Sequence, residues 1–375
     1  MKTPAAVLYE AGRPHAYADS RPLVVDEVEL DGPGPGELLV EVGAAGLCHS
    51  DLSVIDGSRP RPLPMVLGHE ASGTVVETGP GVEDLERGAR VVFSFVPVCG
   101  RCPQCAIGRA ALCERGAQAN GRGTLLSGAR RFRDRRGQVL QHHLGVSAFS
   151  RYTIAARESL IPIPSDTPLD KAALFGCAVL TGVGAVVNTA RVEPGSRVAV
   201  FGLGGVGLNV ILGARLAGAV QIVAVDRLPS KLDTARRLGA THTVSAGSAG
   251  AEEEIRTLTD GGADYVFEAV GNAQVLAQAY ATTRRGGTTV TIGLPHPEQR
   301  LSLPAVSLVA EERTLRGSYM GSAVPQRDIP RFLELYRAGR LPVDDLVSET
   351  VELPAVNAAF DALHEGKVVR QLVRF

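Results

Sequence analysis

Residues 198–210 read VAVFGLGGVGLNV: a β-branched apolar run breaks at Gly202, Gly204 and Gly207 in G-x-G-x-x-G register and then continues as a helical pattern. A second apolar run, QIVAV, ends in Asp226, nineteen residues after Gly207. A strand that feeds a glycine turn, a helix and a second strand implies a parallel pair with a helical crossover. The glycines let backbone N–H groups approach a pyrophosphate, and the helix N-terminus favours its negative charge. A carboxylate at Asp226 accepts hydrogen bonds from both ribose hydroxyls and repels a 2′-phosphate, so the pattern reads as an NAD site in preference to NADP, with Arg227 offsetting part of that repulsion. The alternative is three glycines that only allow close helix–strand packing, and the intact strand–turn–helix–strand–Asp context speaks against it.

The same alternation runs on through PSKLDTARRLGA, AEEEIRTLTD, ADYVFEAVG and GGTTVTIGL, which predicts a parallel sheet with helices on both faces between about Leu174 and Gly321. Upstream, short runs such as ELLVEVGAAG, ASGTVVETG, ARVVFSFV and SRYTIAA lie between Gly and Pro turns and predict a β-rich domain. A chain of 375 residues exceeds what one core usually supports. The expected division is therefore α/β: a doubly wound domain over 179–321, and a β-rich domain over 1–178 to which the C-terminal segment 322–375, ending VVRQLVRF, returns.

A formal net charge of −1 supplies no general attraction to nucleic acid or an anionic membrane. The N-terminal MKTPAAVLYEAGRPHAYADS lacks the apolar core of an export signal, and the nonpolar run at 198–214 is broken by glycines, so neither export nor a membrane span is expected. A cytoplasmic chain keeps its thiols reduced, and clustered cysteines then read as metal ligands. Four of the six cysteines, Cys99, Cys102, Cys105 and Cys113, fall in VCGRCPQCAIGRAALC. Four thiolates close a tetrahedral zinc shell and leave no position for a substrate, so this lobe, near 96–115, predicts a structural zinc. An iron–sulfur run also begins C-x2-C-x2-C, but its bacterial form continues x3-C-P, whereas Cys113 follows after seven residues and precedes Glu114.

Cys48 in AGLCHSDLSV, His69 in VLGHEASG and Cys177 in ALFGCAVLTGVG are far apart in sequence, and each alone reads as an ordinary core residue. Together, however, CHSD at 48–51, GHE at 68–70, the cysteine lobe, FGC at 175–177, GLGGVG at 202–207 and Asp226 followed by Lys231 resemble the zinc-dependent medium-chain alcohol dehydrogenases over nearly the full length. The resemblance implies a Rossmann cofactor domain and a GroES-like catalytic domain. It also implies two zinc ions per chain, a structural one and a catalytic one held by Cys48, His69 and Cys177 with an open fourth position.

By the same resemblance Ser50 relays a proton, Asp51 orients His69, and Glu70 lies beside the metal and assists ligand exchange. Many relatives carry a histidine where this chain has Ser53. Gly202, Gly204, Gly205, Gly207, His49 and Arg370 are expected at the pyrophosphate, Asp226, Arg227 and Lys231 around the adenosine ribose, and Val206 and Thr181 at the nicotinamide. Phe95 is expected near the substrate.

The implied activity is reversible hydride transfer between a primary or secondary alcohol, or its aldehyde or ketone, and NAD. Two alternatives stand beside it: an enone reductase of the same superfamily, and a catalytically idle zinc- and nucleotide-binding protein. The stretch SGARRFRDRRG at 127–137 carries five arginines and reads mainly as a solvated face, with a bias of the substrate entrance toward acidic substrates as the functional alternative. Relatives with a long segment here are typically dimers, so a homodimer is expected.

Overall fold

The computed structural model describes residues 1–375, which fall into two compact units. One comprises Met1–Cys177, Val324–Leu333 and Val347–Phe375; the other comprises Ala178–Ala323 and Glu334–Leu346. Beyond the two crossings expected near 178 and 322, the chain thus makes a further excursion into the second unit at 334–346.

In the first unit, strands Lys2–Leu8, Leu23–Leu30, Phe132–Arg133, Val139–His142 and Met65–Val66 close a small barrel. Its interior is filled by residues such as Val7, Val28, Leu30, Val66, Phe132 and Leu140, all essentially inaccessible to water. Closure removes the free edges that so short a set of strands would otherwise expose.

Beside the barrel strands lies a sheet in the order Leu160–Pro162, Arg90–Phe93, Glu70–Thr78, Glu37–Gly46, Arg370–Arg374, Val347–Glu352, with Tyr152–Ala156 also pairing to Glu37–Gly46. The C-terminal strand therefore hydrogen-bonds to a strand from the first fifty residues, with Leu372 opposite Gly46. That register matters below, because Gly46 also faces Glu70 across the neighbouring strand.

The arginines of 127–137 are drawn into this unit's own structure. Arg131 donates to the buried Glu37 at 2.8 Å, Arg135 pairs with Asp26 at 2.6 Å, and Arg130 donates to Gln141 at 2.5 Å. The segment folds through the barrel strand Phe132–Arg133; Arg130 and Arg131 are engaged locally, whereas Arg135 and Arg136 are exposed, as a solvated face predicts.

The second unit is built on a six-stranded parallel sheet in the order His242–Ser245, Gln221–Asp226, Arg197–Phe201, Ala263–Glu268, Thr283–Thr291, Thr314–Gly317. Its central strand is buried on both faces from Val198 to Phe201, as the unbroken apolar run predicts. Ala199, Phe201, Val223 and Val225 pack with Ile255 and Ala279 from the helices Ala251–Leu258 and Ala273–Ala281. No single helix in the chain is long and apolar enough to cross a membrane.

Candidate functional site

Sheet register in the first unit assembles the metal-binding candidates. Because Gly46 opposes Glu70, the chain leaving one strand at Cys48 meets the chain entering the next at His69. Cys48 is the N-cap residue of the helix His49–Ile55, and its carbonyl accepts from the amides of Asp51 and Leu52. Gly68 adopts φ +91°, and a side chain there would strike the Phe149 backbone at 2.4 Å, so only glycine can precede His69 in this turn. Cys177 sits at the break between the short helical turn Leu174–Gly176 and the helix Ala178–Gly184.

The donor atoms of Cys48, His69 and Cys177 lie within 4.8 Å of one another, and all three residues are buried. Cys177 donates a hydrogen bond to the Cys48 sulfur, and this, with the nearby positive charge of Arg370, holds the Cys48 thiol well below its ordinary pKa. The same pairing pushes the Cys177 thiol up. Burial alone would lower His69, but the adjacent Asp51 carboxylate outweighs it and raises the imidazole well above its usual value. His69 Nδ1 lies 3.0 Å from Asp51 Oδ1, which leaves Nε2 as the nitrogen free to ligate a metal. The Phe95 ring stands edge-on to His69 with centroids 5.7 Å apart, an apolar wall beside the imidazole.

Arg370, expected at the pyrophosphate, lies deep beside the metal candidates. It is 3% exposed and donates to the Leu47 carbonyl at 2.9 Å and to Glu70 Oε2 at 3.2 Å. Burial disfavours its charge, but Glu70 and the two thiols outweigh that and raise its pKa. The guanidinium therefore remains a fixed positive charge behind the sulfurs. Ser50 is half-buried and His49 exposed on the same short helix, while Ser53 Oγ is engaged with the His49 carbonyl at 2.9 Å.

The second cysteine group is self-contained. The sulfurs of Cys99, Cys102, Cys105 and Cys113 lie within 4.8 Å of one another, and all six cysteines of the chain are free of disulfides. Backbone amides of Cys99 and Gly116 approach the Cys113 sulfur at 3.3 and 3.4 Å. A backbone N–H from Cys105 lowers Cys102 to about 6, whereas burial raises Cys105 to about 12. Such N–H···S contacts stabilise thiolates.

In the second unit, the strand Arg197–Phe201 ends at Gly202, which takes φ +88°. A side chain at Gly207 would lie 1.8 Å from the Gly202 carbonyl oxygen, so glycine is obligatory there, whereas one at Gly204 would meet nothing within 4 Å. The tight turn thus leaves open space at the N-terminus of the helix Gly205–Leu216, of which Gly204 is the N-cap. Asp226, at the end of its strand, accepts from the Leu203 amide at 2.8 Å through Oδ2 and from the Leu228 amide at 3.0 Å through Oδ1. Arg227 is exposed, Val206 and Lys231 are half-buried, and Thr181 is buried in the helix Ala178–Gly184.

One residue near the metal candidates was not singled out from sequence. His143 lies 3.2 Å from Asp51 Oδ1, within the group Asp51, His69 and His143. The only local signal is the tandem histidine in HHLG, 92 residues downstream of Asp51.

Comparison with known proteins places these features. A family described as "Alcohol dehydrogenase GroES-like domain" matches residues 34–165, and one described as "Zinc-binding dehydrogenase" matches 205–338. The chain is 38% identical over 384 residues to an S-(hydroxymethyl)glutathione dehydrogenase of Paracoccus denitrificans, covering 100% of both chains. It is 40% identical over 377 residues to a protein named putative alcohol dehydrogenase D of Mycobacterium tuberculosis, again covering 100% of both. Among solved structures, an alcohol dehydrogenase zinc-binding domain protein from Burkholderia ambifaria superposes with a TM-score of 0.94 at 36% identity, covering 100% of this chain and 99% of that one. Benzyl alcohol dehydrogenase from Acinetobacter calcoaceticus gives 0.93 at 30% identity with the same coverage.

Proposed function

Because the chain belongs to the zinc-dependent medium-chain alcohol dehydrogenase family, we propose that it oxidises a small alcohol, or reduces the matching aldehyde or ketone, with NAD. The observation that carries this reading is the buried meeting of Cys48, His69 and Cys177, with His69 Nδ1 committed to Asp51. Two thiolates and one imidazole fit zinc with a fourth position left for substrate, and binding a divalent cation releases the thiol protons. The lobe of Cys99, Cys102, Cys105 and Cys113 supplies four sulfurs and fits a second, structural zinc.

When bound, the zinc of the three-residue site supplies Lewis acidity toward the alcohol or carbonyl oxygen. The chain's own groups do the rest. Asp51 fixes the His69 tautomer, Arg370 offsets the negative charge of the sulfurs, and Phe95 keeps water from one side of the imidazole. Ser50, on the first turn after Cys48, accepts the alcohol proton at Oγ and passes it on. Since Ser53 is occupied by the His49 carbonyl, the proton leaves Ser50 for solvent or cofactor hydroxyls instead of a second side chain at that position.

NAD, when bound, accepts the hydride. The open turn at Gly204 and the helix start at Gly205 receive its pyrophosphate, and the Asp226 oxygens, each already held by one backbone amide, keep lone pairs for the ribose hydroxyls. His49, Thr181, Val206, Arg227 and Lys231 complete the cofactor contacts in this reading.

A homodimer is part of the proposal. Thr314–Gly317 is an edge strand, and the adjoining helix Ala305–Ala310 exposes Val306 at 71% and Val309 at 81%. Apolar surface beside an unpaired edge suits a second copy of the chain. The reduced cysteines suit a cytoplasmic enzyme.

The test is zinc content, solution mass and nicotinamide absorbance over a panel of alcohols, aldehydes and enones, with Cys48→Ala as control. Two zincs per chain and alcohol oxidation abolished in the variant are expected. Enone reduction that survives the substitution, or inactivity across the panel, overturns the reading.

A further inference from the structure

Asp51 has no exposed surface, yet three groups converge on one of its oxygens. The Gly68 amide approaches Oδ1 at 3.3 Å, His69 Nδ1 at 3.0 Å and His143 Nδ1 at 3.2 Å. The other oxygen, Oδ2, has no hydrogen-bond partner. A buried carboxylate needs donors: the His69 contact supplies one, and the second ring, His143, brings its Nδ1 to 3.2 Å without completing a hydrogen bond. The His143 approach is at hydrogen-bond distance but off the ideal N–H axis.

The backbone around His143 is built to deliver that ring. Its amide donates to Ser147 Oγ at 2.9 Å, and the same hydroxyl donates to the Val66 carbonyl at 2.9 Å. The His143 carbonyl accepts from the amides of Val146 and Ser147. Leu144 and Ser147, neither of them glycine, take φ of 53° and 51°. Left-handed backbone at such residues is unfavourable and persists only where the surroundings over-determine it. The ring so placed stands edge-on to His69, with centroids 5.5 Å apart and planes at 86°. His69 is therefore bracketed by two perpendicular rings, Phe95 and His143.

We propose that His143 is a positioning residue of the three-ligand metal site: its otherwise unpartnered Nδ1, 3.2 Å from Asp51 Oδ1, and its ring, edge-on to His69, restrain the carboxylate, which in turn holds His69 in the orientation that ligates zinc. With His69 as sole imidazole partner, the Asp51 carboxylate is free to turn and exchange Oδ1 for its unpartnered Oδ2, loosening the ligand it orients. The inference rests on the zinc reading above.

Two substitutions separate the donor from the ring. His143→Phe keeps a ring of similar size without the N–H, and His143→Asn places an amide N–H near the former Nδ1. In purified holoenzyme, zinc release to a chromophoric chelator is followed together with the thermal midpoint, and the visible spectrum is recorded after cobalt replaces zinc at the three-ligand site. Zinc in that site of the Phe variant is expected to leave about 10- to 100-fold faster, the range seen when a partner of a metal-bound histidine is lost. The four-thiolate zinc is expected to keep its rate, and Asn to recover most of the loss and the wild-type cobalt spectrum.

Equal release from wild type and the Phe variant overturns the role of His143 while leaving the zinc reading intact. So does equal loss in Phe and Asn, which makes the residue only a space-filler. A third tightly bound metal per chain also overturns it, because Asp51 and His143 are then ligands themselves. If the Phe variant does not fold, His143→Gln, whose amide reaches toward the Nε2 position, takes its place: fast release from Gln beside slow release from Asn supports the role, and equal rates overturn it. Wild type that holds only the four-thiolate zinc defeats the zinc reading, and this inference with it.

Discussion

His142, the neighbour of that positioning residue, is a buried imidazole that the fold keeps neutral. Its Nε2 accepts the Arg131 amide at 3.2 Å, and its ring lies 5.1 Å from that of Phe132 in the barrel core. Burial, and then the charges of Arg131 and Arg130, push its pKa from the ordinary 6.5 down to about 3. Between these values the unfolded chain binds a proton that the folded chain refuses, so stability rises with pH across the window and falls as acid is added. The slope for one such group is about 1.4 kcal/mol per pH unit, or about 2–3 kcal/mol between pH 6.5 and 4.5. His142→Gln sets an amide oxygen where Nε2 accepted and removes the titration. Urea unfolding of both proteins from pH 7.5 to 4.5 reads the difference, in which carboxylates and metal ligands common to both cancel. The advantage of wild type over the variant should shrink by that amount toward pH 4.5. Parallel curves would refute the claim that this ring is held neutral.

Two further outcomes follow from the first unit. Glu70→Gln or Arg370→Met each leaves a buried charge without its partner, and each should lower stability by about 3–5 kcal/mol, with the double variant recovering part of the loss; strictly additive losses in the unfolding midpoint would contradict a coupled pair. Cys102→Ala should remove one zinc and lower the thermal midpoint while turnover of the still-folded enzyme persists, and loss of turnover in an equally heat-stable variant would contradict the structural role of that lobe.

What could be read from sequence follows the range of the interactions. The glycine turn was legible because its constraint is local: Gly202 and Gly207 are forced within six residues, and the strand Val198–Phe201 announces burial on both faces by its apolar run. Cys48, His69 and Cys177 could be joined only through the resemblance of ordered motifs, since the contact that unites them is a sheet register, Gly46 opposite Glu70, which periodicity does not encode. His143 reaches Asp51 through the turn at Leu144 to Ser147, and Arg131 reaches Glu37 across the barrel, each over more than ninety residues. Such long-range pairs leave little local trace, so an arginine run that reads as a free basic surface can be part of a barrel wall. The partners of Arg370 were hidden for the same reason: its charge is visible in sequence, but its contacts with Glu70 and Leu47 are not.

All seven candidate zinc ligands fall within one compact unit, and Cys177 is its last residue before the chain enters the second unit at Ala178. The two chemistries are thus separable at the level of genes. An exchange of the second unit that begins after residue 177 carries every metal ligand along intact, but it must also return to the native sequence for Val324–Leu333 and Val347–Phe375, which belong to the metal-bearing unit. A junction even one residue earlier takes the third sulfur away with the exchanged piece. For a chimeric enzyme, this sets the first of the cut sites.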